Sequence, residues 1–234
     1  MILQNHLCLN KIKSQMNKSQ IRELVNRELP IIFEIGCADG IDTIEFIDVF
    51  GDNMKLYCFE PDNRNADVFL NGGFRPIRPD LLHGIKRDNV IFENKAVGNI
   101  DGIVEFNQSS TIYSSSLKKP TDLFEQTWGS AIKFNNILQV ECVTLDKYLN
   151  DNQIDVIDFM WADVQGAEDL MIMGGSESFK SKIRYLYTEY SGVEFYEGAP
   201  NRSIIESLLG DNWEVIHDFT NGSGGDVLLK NKQL

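Results

Sequence analysis

Between Ile31 and Val97 the chain alternates short apolar runs with amphipathic ones, and this alternation restricts the fold more than any other feature. IIFEI reads as a buried strand. DGIDTIEFIDVF sets Ile41, Ile44, Phe46, Ile47 and Phe50 at helical spacing and stops at Gly51. MKLYCFEP is a second strand, DNRNADVFLN a second helix closed by Gly72–Gly73, and NVIFENKAV a third strand. This order of strands and helices is the signature of a parallel sheet with right-handed crossovers. Upstream, SQIRELVNREL predicts a short helix ended by Pro30, so residues 1–29 are expected to form an N-terminal arm and helix.

From Gly98 to Val143 the pattern changes. GIVEFNQ alternates like an exposed strand, SSTIYSSSLKKP is a serine-rich loop, and ILQVECVTL is another strand. They predict a β-rich, antiparallel insertion around residues 98–143. The earlier rhythm then returns. IDVIDFMWADV and IRYLYTEYS read as strands, GAEDLMIMGG and NRSIIESLLGD as helices. WEVIHDF and GDVLLKN read as strands joined through TNGSGG in a hairpin. The expected architecture is α/β: a Rossmann-like sheet, mostly parallel with an antiparallel last strand, and helices on both faces. A length of 234 residues suits one such domain, over residues 30–234.

Acidic residues outnumber basic ones 35 to 22, a net charge of −13. Such a surface repels phosphate backbones and anionic membranes, so nucleic acid is not an expected partner. No run is long enough to span a bilayer, and MILQNHLCLNKIKSQ has no continuous apolar core with a cleavage site. Cys8, Cys37, Cys58 and Cys142 form no C-x-x-C pair. They are expected to be free thiols in a reducing cytoplasm. The scattered His6, His83 and His217 do not suggest zinc.

The first turn, Gly36-Cys-Ala-Asp-Gly40, lacks G-x-G-x-x-G, because Ala38 stands where a glycine would let backbone approach a pyrophosphate. A nucleotide without pyrophosphate suits it better. The next acid at a strand end is Glu60, about twenty residues past Gly40, the position of a carboxylate that accepts from ribose hydroxyls. S-adenosylmethionine (SAM) has a ribose and no phosphate. Its ammonium and sulfonium suit carboxylates such as Glu34 and Asp39, and Gly36 and Gly40 would let the backbone pass close to it. An ordinary strand–turn–helix with Asp39 near the helix start accounts for the turn alone; Glu60 and the terminal hairpin favour SAM.

FEIGCADG, CFEPDNRN, NKAVGN, SSSL, VTLDKYL and DVQGAEDLMIMGG follow one another in the order seen in FkbM-family SAM-dependent methyltransferases, which the chain resembles over residues 30–190. The resemblance implies a class I methyltransferase sheet and O-methylation of a hydroxyl on a sugar or small metabolite. Carried over by position, it implies donor contacts from Glu34, Gly36, Asp39, Gly40, Glu60 and the following Pro61. It adds Ala96 and Val97, within Asn94–Val97 beside the adenine, and Asp163. Asp163, Gly166 and Glu168 match the family's D-V-E-G-x-E. Here Gln165 replaces the usual Glu, and Trp161–Ala162 replace Lys–Ile. Trp161 is expected to fill core.

Ligands of open α/β sheets sit at the carboxyl ends of the strands. Asp163, after VIDFMWA, is the first candidate for base or substrate positioning, and Glu189, after YLYT, the second. Glu168 is a candidate too, although a carboxylate in a helix first turn is favoured by the dipole alone. Asp163, Glu168 and Glu189 together have the chemistry of a Mg²⁺ site, but nothing in their spacing favours a metal. Tyr113, Trp128, Tyr190, Phe195 and Tyr196 lie in loops where they could stack on sugar rings, cover the site or pack the insertion. The expected partner is a small-molecule or carbohydrate acceptor. Two other readings remain open here: an NAD-linked oxidoreductase of similar winding, disfavoured by the missing G-x-G-x-x-G, and a non-catalytic SAM-binding module.

Overall fold

The computed structural model describes residues 16–76 and 78–234. The part of the expected N-terminal arm before residue 16, with His6 and Cys8, lies outside the described residues.

Seven strands form the main sheet. β1 (Ile31–Ile35) pairs in parallel with β2 (Lys55–Phe59) on one side and β7 (Phe159–Ala162) on the other. β2 continues in parallel to β3 (Val90–Glu93), and β7 to β8 (Tyr185–Ser191). β10 (Gly224–Asn231) inserts antiparallel between β8 and β9 (Trp213–Asn221), giving the order β3-β2-β1-β7-β8-β10-β9. This is the mostly parallel sheet closed by an antiparallel last strand that the resemblance implies.

Strand side chains alternate between faces, and the core divides accordingly. Phe33 and Ile35 of β1 join one layer with Tyr148 of α5 (Leu145–Asp151), Met171 of α6 (Glu168–Gly174), Phe179 of α7 (Ser176–Ser181) and Ile205 of α8 (Arg202–Leu209). Ile32 joins the other layer with Ile21 of α1 (Lys18–Val25), Phe46 of α2 (Ile41–Phe50) and Phe69 of α3 (Asn63–Asn71). Helices thus cover both faces.

Several expected boundaries move. α1 starts after Asn17, whose side chain accepts from the Gln20 amide in a capping box, and it ends on left-handed Asn26 rather than at Pro30. The third expected strand splits: β3 stops at Glu93, and Ala96–Gly98 leaves the main sheet as β4. There β4 pairs in parallel with β6 (Phe134–Thr144), and β5 (Gly102–Ser109) pairs antiparallel with β6, a separate three-stranded sheet. The strand expected across IDVIDFMWADV is only the four residues of β7. The serine-rich segment is followed by α4 (Asp122–Trp128), which hydrophobic spacing did not signal, capped by the Thr121 hydroxyl.

Trp161 is core, as expected, stacked on Tyr187 at 4.2 Å between centroids. The Lys18 amine lies 3.1 Å from its ring centre, is 3% exposed and donates to Asp42 Oδ1 at 2.6 Å. A cation from α1 therefore reaches the face of the residue that replaces the family's usual lysine.

Candidate active site

The turn after β1 lies against the end of β7. Gly36 has φ +83°, and a Cβ there would sit 2.0 Å from the Asp163 carbonyl oxygen, so only glycine fits. Ala38 is also left-handed, and its amide donates to Glu60 Oε2 at 2.9 Å. Glu60 Oε1 accepts from the Asp62 amide at 2.7 Å. Two backbone donors from two loops hold this carboxylate at the tip of β2. It is 5% exposed, and burial pushes its pKa up to about 8.

These tips border a cavity of about 100 Å³. Gly36, Glu60, Pro61, Ala96, Val97 and Asp163 all line it, so six of the expected donor-site residues converge. Ala96 and Val97 reach it because the chain leaves the main sheet at Asn94, whose side chain donates to the Glu60 carbonyl at 2.7 Å. Asn65, Lys95 and Ser115 line it as well. Asn65 lies in the CFEPDNRN stretch, but its inward direction comes only from α3.

Glu34, Asp39 and Gly40 do not line this cavity. The alternation of β1 turns Glu34 toward α2, where Oε2 accepts from the Thr43 hydroxyl at 2.6 Å and Oε1 is buried without a partner among the described residues. Burial, first, and then Asp42 raise its pKa to about 8. Glu34, expected at the amino-acid end of a donor, thus points toward α2 rather than into the small cavity. Asp39 accepts from the Tyr113 hydroxyl at 2.9 Å, its carbonyl accepts from Arg75 Nε at 2.8 Å, and burial raises its carboxyl pKa. Gly40 caps α2 and packs against Phe69 and Ile85.

A second cavity of about 500 Å³ shares Tyr113 and Gln165 with the first. Glu168 and Glu189 line it, together with the aromatic residues Trp128, Tyr190, Phe195 and Tyr196. Glu168 begins α6, is 2% exposed and accepts from the Gly166 amide at 3.3 Å; burial pushes its pKa up to about 7. Asp226, which sequence reading did not single out, is the register partner of Glu189 across β8 and β10 and lines the same cavity. Only the antiparallel pairing of the last hairpin brings it there.

Gln165 joins the two spaces. It holds φ +53°, unusual for a non-glycine residue. Its carbonyl accepts from Ser116 Oγ at 2.8 Å, its side-chain nitrogen donates to Asp163 Oδ1 at 2.5 Å and lies 3.5 Å from Glu189 Oε2, and its Oε1 accepts from the Tyr196 hydroxyl at 3.3 Å.

Among the described residues no three His, Cys, Asp or Glu side chains are grouped to hold a metal ion, so Asp163, Glu168 and Glu189 do not converge as one ligand set. His83 and His217 are exposed and line neither cavity. Cys37, Cys58 and Cys142 are free and buried. No helix among the described residues is long and apolar enough to cross a membrane.

Residues 26–219 match the family described as the methyltransferase FkbM domain. The 2-O-methyltransferase NoeI of Sinorhizobium fredii (strain NBRC 101917 / NGR234) is 34% identical over 224 residues, which cover 92% of this chain and 85% of NoeI. The crystal structure of methyltransferase FkbM from Methylobacillus flagellatus KT is similar in fold, with a TM-score of 0.52 at 12% identity over 94% of this chain. This chain spans 49% of that one, about half its length.

Proposed function

This chain belongs to the FkbM methyltransferase family, and from that premise we propose that it transfers a methyl group from SAM to a hydroxyl of a sugar or sugar-like acceptor. The observation that carries the reading is the junction of two cavities at Tyr113 and Gln165. One is edged by a buried ribose-type carboxylate, the other by carboxylates and aromatic rings.

The small cavity suits SAM. Each Glu60 oxygen accepts one backbone N–H and keeps acceptor capacity for a hydroxyl. Asn65 Oδ1, lining the same space, is buried with no partner among the described residues, and so is a second acceptor for a hydroxyl donor. Glu60 and Asn65 would hold the ribose, Pro61, Ala96 and Val97 the adenine side, and Gly36 and Asp163 the sulfonium end. When bound, SAM supplies a methyl group already activated by its positive sulfur.

The protein then has two tasks. It aligns the acceptor hydroxyl, which supplies up to about 7–11 kcal/mol in favourable cases, and it takes up the hydroxyl proton. Glu168 fits the second task best: it lines the acceptor cavity, and its pKa of about 7 matches a base working near neutrality. Glu189 positions the hydroxyl from the other side, and Asp163, held by Gln165, faces the donor. The family's relative NoeI is named for 2-O-methylation, which favours a carbohydrate hydroxyl here.

Calorimetry with SAM and its demethylated product, followed by transfer of labelled methyl to a panel of glycosides, tests the reading. Saturable binding of both nucleosides and labelled glycoside are expected. Lack of binding at millimolar nucleoside removes the proposal.

A further inference from the structure

The larger cavity has two chemically different ends, and Tyr196 marks the border. Its hydroxyl reaches Gln165 Oε1 at 3.3 Å and the Ser114 carbonyl at 2.8 Å, on the side shared with the donor cavity. Its ring belongs instead to an apolar cluster with Phe124 and Ile132, against which Trp128, Phe195 and Ala199 pack. The Phe124 ring lies 5.4 Å from that of Tyr196, 6.0 Å from Phe195 and 6.3 Å from Trp128. One wall therefore continues from a hydroxyl-binding corner to a surface without hydrogen-bonding side chains apart from the indole N–H.

The reacting hydroxyl belongs at the corner, because Tyr113 and Gln165 alone line both cavities. A cavity of about 500 Å³ is in the range that takes a ligand well beyond one sugar ring. A group attached to that sugar has the aromatic wall as its apolar path out of the corner, apart from the side lined by Glu189, Ser191 and Asp226. Against that wall a second sugar ring gains stacking of its C–H face but leaves its hydroxyls without side-chain partners, whereas an apolar group gains from burial over its whole surface.

Resting on the methyltransferase reading, we propose that the acceptor is a glycoside with an apolar aglycone, its sugar at Gln165 and its aglycone against Phe124, Trp128 and Phe195. The reaction that supplies this substrate is then a glycosyl transfer onto an apolar alcohol, and methylation follows it.

The test uses the full chain, loaded with the demethylated product of SAM for binding and with labelled SAM for transfer. The probes are glucosides and galactosides with methyl, butyl, hexyl and octyl aglycones below their micellar concentrations, with methyl lactoside as a hydroxyl-rich extension of equal reach. Affinity or kcat/KM is expected to rise about two- to fourfold per methylene over the first several carbons, with the octyl glycoside well above the lactoside. Trp128→Ala should flatten this slope. Val193→Ser, in the loop lining the same cavity, serves the same purpose should the tryptophan variant not fold. A flat slope, a preference for the lactoside, or no binding by any glycoside while the nucleoside still binds would each overturn the inference. Loss of nucleoside binding would instead strike the methyltransferase reading itself.

Discussion

The side-chain nitrogen of Gln165 donates to Asp163 Oδ1 at 2.5 Å and so ties the larger cavity to the smaller one. A neutral amide in that place gives Asp163 a hydrogen bond and adds no charge beside it or nearby Glu189. Gln165→Glu would set a third carboxylate against Asp163, and carboxylates that close share a proton. The acid limb of the kcat/KM profile should move up by a unit or more, with the rate at pH 7 about tenfold lower and donor affinity little changed. An unaltered pH profile would show that Gln165 has no part in setting the charge here.

Glu168→Gln removes the proposed base and keeps the shape. A positioned base contributes about 10²–10⁴-fold, so kcat should drop within that range while calorimetry still finds the donor bound. In the unaltered chain the rate should rise with pH through about 7, where burial places the Glu168 pKa. A variant with more than half its activity would shift the role to Glu189.

Glu60→Gln addresses the donor. Hydrogen bonds to a charged acceptor contribute roughly 1.5–3 kcal/mol, so above pH 8, where Glu60 is ionised, SAM should bind about ten- to a hundredfold more weakly, with kcat at saturating SAM largely kept. Equal affinity in the variant would mean that Glu60 does not hold the ribose.

Gly36→Ala addresses the fold beneath the site. The added Cβ would meet the Asp163 carbonyl at 2.0 Å on backbone with φ +83°. Strain and clash together should cost about 3 kcal/mol, seen as a Tm roughly 10 °C lower. A Tm within 2 °C or so of the parent would contradict the close approach of the two strand ends.

The ligand-free protein should lose stability as pH rises. Burial lifts Glu34 and Glu60 from the ordinary 4.5 to about 8 and Glu168 to about 7. The folded state therefore binds more protons than the unfolded one between pH 4.5 and 8. The stability these groups contribute is present in full below pH 4.5 and is lost as pH passes through 7 and 8. Thermal melts at pH 6 and pH 9 should differ by several degrees in favour of pH 6, and Glu34→Gln should narrow the gap. A higher Tm at pH 9 would rule this out.

Much of the architecture was legible because it is periodic. The β1–α2–β2–α3–β3 alternation and the terminal hairpin follow from local spacing and glycine stops. Local signals failed at Ala96–Gly98, where one apolar run serves two sheets, and at α4, whose helix has only Phe124 fully buried. In the site, Gly36, Glu60, Pro61, Ala96, Val97 and Asp163, which the family resemblance names together, all line one cavity. Glu34 lies outside that cavity because a strand carboxylate's face depends on the register of the whole strand. Its neighbours Phe33 and Ile35 had already claimed the opposite layer.

The sequence by itself determined that strands and helices alternate, that the last two strands form a hairpin, and that an acid stands at the tip of β2, because each is written in a few consecutive residues. Only the tertiary structure decided that Tyr113 and Gln165 line the same two cavities, that Asp226 pairs with Glu189, and that Lys18 covers Trp161. These pairs join segments far apart in the chain, and packing alone selects their partners.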